Sequence, residues 1–359
     1  MPPAGDVLRT FHPGWFGAVM GTGIVGVAAY LNPGARPGTL GAAHAIGVAF
    51  VLLAWVLAAA ILVPYLLRII RHRDAAIADL RHPVIGALYA TFPAAILVLA
   101  TATATVGGSL LDAGAVTAIV AVLAAFGSLL ALIAAVAFGY VLFTGDGLKS
   151  DMANGGWFIP PVVTIIIPLA LVPLIPHVSE PAGRLLLLLG YAALGIGFFL
   201  FVLITAVLFS RLIFHPLPPA ALAPSLWIAL GPIGVGSLAI LRLADAGQPF
   251  WAGDASAAAL VSKLAAATLW GLGLWWLAIA ALLLSRYLRH GTLPYGVGWW
   301  AFTFPLGAYT VATIQLARHW NTLAVEWFGA VLFVVLLGFW LTVSLRTIRA
   351  VRSGEAWKR

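Results

Sequence analysis

The sequence has 359 residues, 63% of them hydrophobic and 8% charged, with a formal net charge of +8 and no cysteine. Ordinary soluble domains are about 25% charged, so this composition is that of an integral membrane protein. The lack of cysteine excludes disulfides, thiolate metal sites and thiol catalysis. The basic excess is attributed to cytoplasmic loops rather than to nucleic acid binding.

Met1 to Thr10 lacks the basic n-region of a cleaved signal peptide, so the first apolar segment is expected to be a retained span. Ten hydrophobic runs then follow, at about 14–31, 44–67, 85–106, 114–143, 157–177, 183–213, 222–243, 256–288, 294–316 and 323–348. Each is long enough to approach or exceed the bilayer core. Short loops part them, so a single membrane domain over 1–359 is expected. Arg36, Arg184, Arg242, Lys263 and Arg318 fall on one side, and the other 14 of the 19 Lys and Arg residues fall on the opposite side. The positive-inside rule then puts both termini in the cytoplasm. Asp146-Gly147 and Asp151, in one loop, read as turn residues.

Proline sorts the spans. Pro13 opens the first. Pro93 lies in the third, Pro160, Pro161, Pro168, Pro173 and Pro176 in the fifth, Pro224 and Pro232 in the seventh, and Pro294 and Pro305 in the ninth; only Pro64 lies in an even-numbered span. Broken helices survive in membranes where protein or a water-filled cavity surrounds them. Five interior odd-numbered helices and five exterior even-numbered ones follow. Thr91-Phe92-Pro93 echoes Thr303-Phe304-Pro305, as repeated helical hairpins would produce.

Phe304 stands about 10 residues into its run, roughly 15 Å deep at 1.5 Å per residue. A ring there, beside the Pro305 break, either plugs a pore or packs between helices. Each proline break also makes a helix N-terminus partway across, and such ends attract anions. No acidic or basic residue lies near the centre of an odd span, which argues against cation channels and carboxylate proton relays. Hydroxyls at Thr22, Thr91, Thr101, Thr103, Thr164, Ser237, Thr303, Thr310 and Thr313 either face an anion or bond their own helix backbone. His12, His44 and His215 near span ends sense protons or sit as interfacial partners. Lys263 is expected to snorkel outward. Gly17 and Gly21 form a GxxxG pair that packs helices closely or widens a pore. No enzyme motif, metal cluster or cofactor fingerprint is present.

Four stretches carry a family resemblance: Phe11-His12-Pro13-Gly14-Trp15-Phe16 running into Met20-Gly21-Thr22-Gly23-Ile24; Trp157-Phe158-Ile159-Pro160-Pro161-Val162; Pro218-Pro219, Pro224 and Ile228-Ala229-Leu230-Gly231-Pro232; and Trp300-Ala301-Phe302-Thr303-Phe304-Pro305. In order and spacing they resemble the tellurite-resistance/dicarboxylate transporter family, which includes malate permeases, sulfite pumps and plant slow-type anion channels. The resemblance implies an all-α membrane protein of five helical hairpins, with inner odd helices around a central pore. It implies a homotrimer with one pore per subunit, and a ninth-span phenylalanine that occludes the pore. That role is carried onto Phe304, with Phe92 facing the same pore. The expected pore lining is Gly21, Thr22, Gly23, Phe92, Pro93, Pro160, Pro161, Thr164, Pro232, Thr303 and Pro305. The expected function is passage of small anions across the cell membrane: chloride, nitrate, sulfite, tellurite or C4-dicarboxylates such as malate. The rivals are a proton-coupled carrier for malate or sulfite with an occluded state, and a membrane enzyme acting on a lipid or quinone. The plant channels bear long regulatory termini; the short flanks here argue against kinase gating of that type.

Overall fold

The computed structural model describes residues 4–145, 148–291 and 293–357; the Asp146-Gly147 turn and the Lys358 and Arg359 counted for topology lie outside them. Among the described residues the chain is all-helical, with no strand. Ten long helices follow in order: α1 (Phe16–Tyr30), α2 (Leu40–Arg71), α3 (Thr91–Val106), α4 (Ala113–Thr144), α5 (Ile159–Leu171), α6 (Glu180–Phe214), α7 (Leu230–Gly247), α8 (Ala255–His290), α9 (Phe304–His319) and α10 (Leu323–Ser353). Short helices at Ala4–Arg9 and Arg73–Arg81 sit outside this series.

The helices fall into two kinds. The even-numbered ones run for 32, 32, 35, 36 and 31 residues. At 1.5 Å per residue they reach about 46–54 Å, beyond a hydrocarbon core of about 30 Å. The odd-numbered ones run for only 15, 16, 13, 18 and 16 residues, and each is preceded by a stretch of 3₁₀ helix. Proline explains the difference. Pro160, Pro161 and Pro305 occupy the first turn of their helices, where the missing N–H has no intrahelical acceptor to lose. The chain before them runs as 3₁₀ turns, which rise about 2 Å per residue.

Eight helical stretches among the described residues are long and apolar enough to cross a membrane. The first and ninth expected spans, at α1 and α9, are not among these eight. Burial separates the two kinds. Of the most apolar window in Gly86–Ser109, Gly155–His177 and Ala220–Phe250, 67%, 83% and 89% is buried, against 17–28% in the even-numbered helices. Packing follows the same division: α1 touches α3 and α9, α5 touches α3 and α7, and α7 touches α9. Each even helix seats against two odd ones, α2 on α1 and α3, α4 on α3 and α5, α6 on α5 and α7, α8 on α7 and α9, and α10 on α9 and α1.

Three outer tryptophans fix this seating. Trp55 of α2 donates its indole N–H to Thr103 of α3, Trp270 of α8 to Thr313 of α9, and Trp340 of α10 to Thr22 of α1, at 3.2, 2.9 and 3.0 Å. A buried indole donor needs such a partner, and the acceptor comes from the neighbouring inner helix each time.

Polar clasps hold the helix ends. At the end bearing Thr10 and Trp357, buried Arg68 donates to the Arg9 carbonyl, the Tyr89 hydroxyl and the Asp79 carboxylate. At the other end, Arg318 Nη2 donates to the Leu31 carbonyl that ends α1 and to Glu326 of α10, at 2.6 and 2.9 Å. His319 places Nε2 3.1 Å from Asp245 of α7 and Nδ1 2.8 Å from the Gln315 carbonyl. Both ring nitrogens therefore face acceptors, which favours the imidazolium. The hydrogen bond to Asp245 raises the His319 pKa, while partial burial and the Lys263 ammonium oppose the shift. A raised folded-state pKa stabilises the fold fully below the unfolded value near 6.5, and that stability is lost as pH rises through the folded value. We expect thermal stability to fall across that window, and His319→Gln to flatten the profile in a melting series from pH 5 to 9.

Candidate functional site

The 3₁₀ stretches before the odd helices meet around one cavity of about 510 Å³. Each contributes to its wall: Gly14 before α1, Leu88 before α3, Gly156 before α5, Pro224 and Ser225 before α7, and Trp300 and Ala301 before α9. The N-terminal ends of five helices therefore converge on a shared space. Each end carries about half a positive charge. Their sum favours an anion. The chain ends of α2, α6, α8 and α10 place Arg71, Arg211, Arg289 and Arg352 in their last turns, where cations offset the negative helix termini.

The wall is mostly apolar. Its deeper lining includes Met20, Val162, Ile228, Gly231, Phe304 and Pro305. Phe304 is 5% exposed and opens α9. Gly231 of α7 faces α5 and α9 here: a Cβ on it would stand at ordinary contact distance, 3.5 Å from Val162 Cγ2 and 3.7 Å from Pro305 Cβ. Polar groups are few. Thr91 donates its hydroxyl to the Leu88 and Pro13 carbonyls, and His12 Nδ1 accepts from the Gly14 N–H. The Ser225 hydroxyl and the Trp300 indole N–H, both on lining residues, are buried with no hydrogen-bond partner among the described residues.

The sequence candidates divide. Phe304 and Pro305 line the cavity; the other expected lining residues do not. Thr22 is turned to Trp340 of α10. Thr164 donates to the Pro161 carbonyl and lies against Gly197 of α6, and Thr303 donates to the Trp300 carbonyl. Phe92 packs on Phe16 and Tyr65, with ring centroids 4.9 and 5.2 Å away. Pro93, Pro160, Pro161 and Pro232 are buried in their helices' first turns. Gly23 faces Val98 of α3 and Ala54 of α2. Among the other hydroxyls, Thr101, Ser237, Thr310 and Thr313 donate to carbonyls one turn back.

Gly17 and Gly21 meet the chain leading into α9. Their added Cβ atoms would lie 3.0 Å from Trp300 Cβ and 2.1 Å from Thr303 Oγ1, and Gly307 answers with the same closeness to Ile24. The GxxxG pair thus serves close packing of α1 on α9, with Gly17 also at the cavity wall. Gly21→Ala forces a methyl group into Thr303, at a cost of about 1–3 kcal/mol; a lowered melting temperature in detergent is the expected result.

The wall residues Met20, Ser225, Ile228 and Trp300 were not singled out as lining from the sequence. Their signal was the Pro/Gly-containing segment preceding each odd span, such as Pro13-Gly14, Gly155-Gly156 and Gly296 to Gly298.

A family model described as SLAC1, voltage-dependent anion channel, matches residues 10–348. The chain belongs to the SLAC1 voltage-dependent anion channel family. Membership makes it a membrane transport protein rather than an enzyme. SLAC1-family relatives agree along its length. The uncharacterized transporter MJ0576 of Methanocaldococcus jannaschii is 33% identical over 98% of this chain and 97% of its own. The sulfite efflux pump SSU1 of Trichophyton rubrum is 27% identical over 95% and 91%. The malic acid transport protein of Schizosaccharomyces pombe is 24% identical over 59% and 50%.

Proposed function

We propose that this protein passes small anions across the cell membrane along the axis of its five odd-numbered helices, with Phe304 as the barrier. The convergence of five helix N-termini on one cavity, with Phe304 in its wall, carries the proposal. The architecture is one membrane domain of ten spans, paired as five hairpins, with the odd members around the path. The packing of each even helix against two odd ones supports it, as does the meeting of Thr10 and Trp357 at one end, which an even number of spans requires. Both termini lie in the cytoplasm by the distribution of Lys and Arg. Three copies assemble with one path each.

An anion enters the cavity from the end holding the chain termini. The helix ends replace part of its hydration shell. Among the described residues no lysine or arginine lines the cavity, so the anion is held weakly and leaves readily. The path opens when the Phe304 ring swings out of line. The substrates are inorganic anions such as sulfite, nitrate and chloride, together with mono- and dicarboxylates. The sulfite pump and malic acid transporter among the relatives favour this range.

The test is flux into liposomes holding the purified protein, with labelled sulfite, malate and chloride, with and without a pH gradient. Uptake that follows the anion gradient alone is the expected result. Saturable uptake that needs a proton gradient would replace the channel with a carrier, and no uptake of any anion would remove the proposal.

A further inference from the structure

From Gly354 to Trp357 the chain stays against the molecule. Gly354 ends α10 with φ of +78°, a left-handed conformation that glycine adopts freely and that turns the chain back. A 3₁₀ turn, Glu355–Trp357, follows. Trp357 seats on two rings that precede α1, with centroids 6.3 Å from Phe11 and 5.7 Å from Trp15. The Thr10 hydroxyl donates to the Trp357 carbonyl at 3.3 Å, closing the strap. Glu355 and Ala356 thereby become part of the cavity wall, at the same mouth as Thr10 and His12. Glu355 is exposed, and among the described lining residues it is the one Asp, Glu, Lys or Arg.

A carboxylate at the entrance is the wrong sign for a site built to attract anions. Five helix ends draw anions in, while Glu355 repels them at the door. We infer that Glu355–Trp357 is a strap across the mouth whose carboxylate sorts entering anions by charge, favouring monoanions over dianions. The inference rests on anion passage as proposed above. Its physical content is a repulsion that doubles with the charge of the anion. For a carboxylate about 6 Å from the passing ion in a water-like dielectric, the Coulomb energy lowers monoanion entry about threefold and dianion entry about tenfold. Salt at about 1 M, with a screening length near 3 Å, abolishes both effects. Trp357 supplies the anchor that holds the carboxylate in place, because its ring is the strap's apolar contact with the chain before α1.

The experiment compares Glu355→Gln and Trp357→Ala with the parent, in liposomes, using nitrate as the monoanion and malate at pH 7.5 as the dianion. Both variants are also made on the Phe304→Ala background, where flux is larger. The expected result is an increase of about threefold for nitrate and about tenfold for malate, vanishing in 1 M salt. Equal changes for the two anions, or none, on a background that does carry anions would overturn the strap while leaving anion passage standing. A background that carries neither anion would instead remove the transport reading itself. A second readout uses the absence of native cysteine. Ala356→Cys is labelled by an impermeant thiol reagent, and Trp357→Ala should speed that labelling several-fold; an unchanged rate contradicts the anchoring role of Trp357.

Discussion

Phe304→Ala raises anion flux about 10- to 100-fold in liposomes and leaves the protein folded. The estimate comes from the ring's surroundings. Phe304 is buried where α9 begins, and its neighbours in the deeper wall are Met20, Val162, Ile228 and Pro305. Moving a buried phenylalanine out of such a seat costs about 1.5–3 kcal/mol. That cost is the gate's barrier, and it converts to the stated factor in rate. Phe304→Leu keeps most of the apolar volume and should fall between parent and alanine. The stability loss is smaller than for a phenylalanine enclosed on all sides, because one side of the ring borders open volume. Size-exclusion profiles and melting curves check that the variants assemble. Flux equal to the parent in well-assembled Phe304→Ala places the barrier elsewhere on the path.

Arg68→Met produces the largest loss of stability. Arg68 is 1% exposed and its guanidinium spans three elements: the Arg9 carbonyl, the Tyr89 hydroxyl before α3, and Asp79 in the short helix after α2. Methionine matches the stem but removes the guanidinium from the largely buried Asp79 carboxylate. Breaking one side of a buried ion pair costs about 3–5 kcal/mol. Arg68→Lys keeps the charge but cannot serve three acceptors from one planar fork, so it recovers only part of the loss. The double variant Arg68→Met with Asp79→Asn should be more stable than Arg68→Met alone, because the buried carboxylate charge that faced Arg68 is gone. The measurement is thermal unfolding in detergent, with the double variant separating charge pairing from packing.

The division of the helices was legible because proline and glycine act locally. Pro160-Pro161 and Pro305 force a helix to begin where they stand, and that start is visible in the residue order alone. The same logic singled out Phe304 and Pro305, which the structure places on the cavity wall. The facing of the hydroxyls was not legible. A span apolar all round has no polar face to orient it. Thr22 looks outward because Trp340, more than 300 residues later, donates to it. Thr103 and Thr313 are claimed by Trp55 and Trp270 in the same way. Gly21 offered two outcomes, a wider path or a closer helix, and Thr303 fills the space. The cavity wall itself lies in 3₁₀ turns, which leave no periodic signature in an apolar sequence. His319 also went unremarked, since its Asp245 partner lies 74 positions earlier on another helix.

The most direct test of anion passage through this fold is a reversal potential. Purified protein carrying Phe304→Ala is placed in a planar bilayer with potassium chloride at about tenfold different concentrations on the two sides. Anion-selective passage predicts a current that reverses near the chloride equilibrium potential, with the parent giving a smaller current of the same selectivity. A current that reverses near the potassium equilibrium potential would contradict the account.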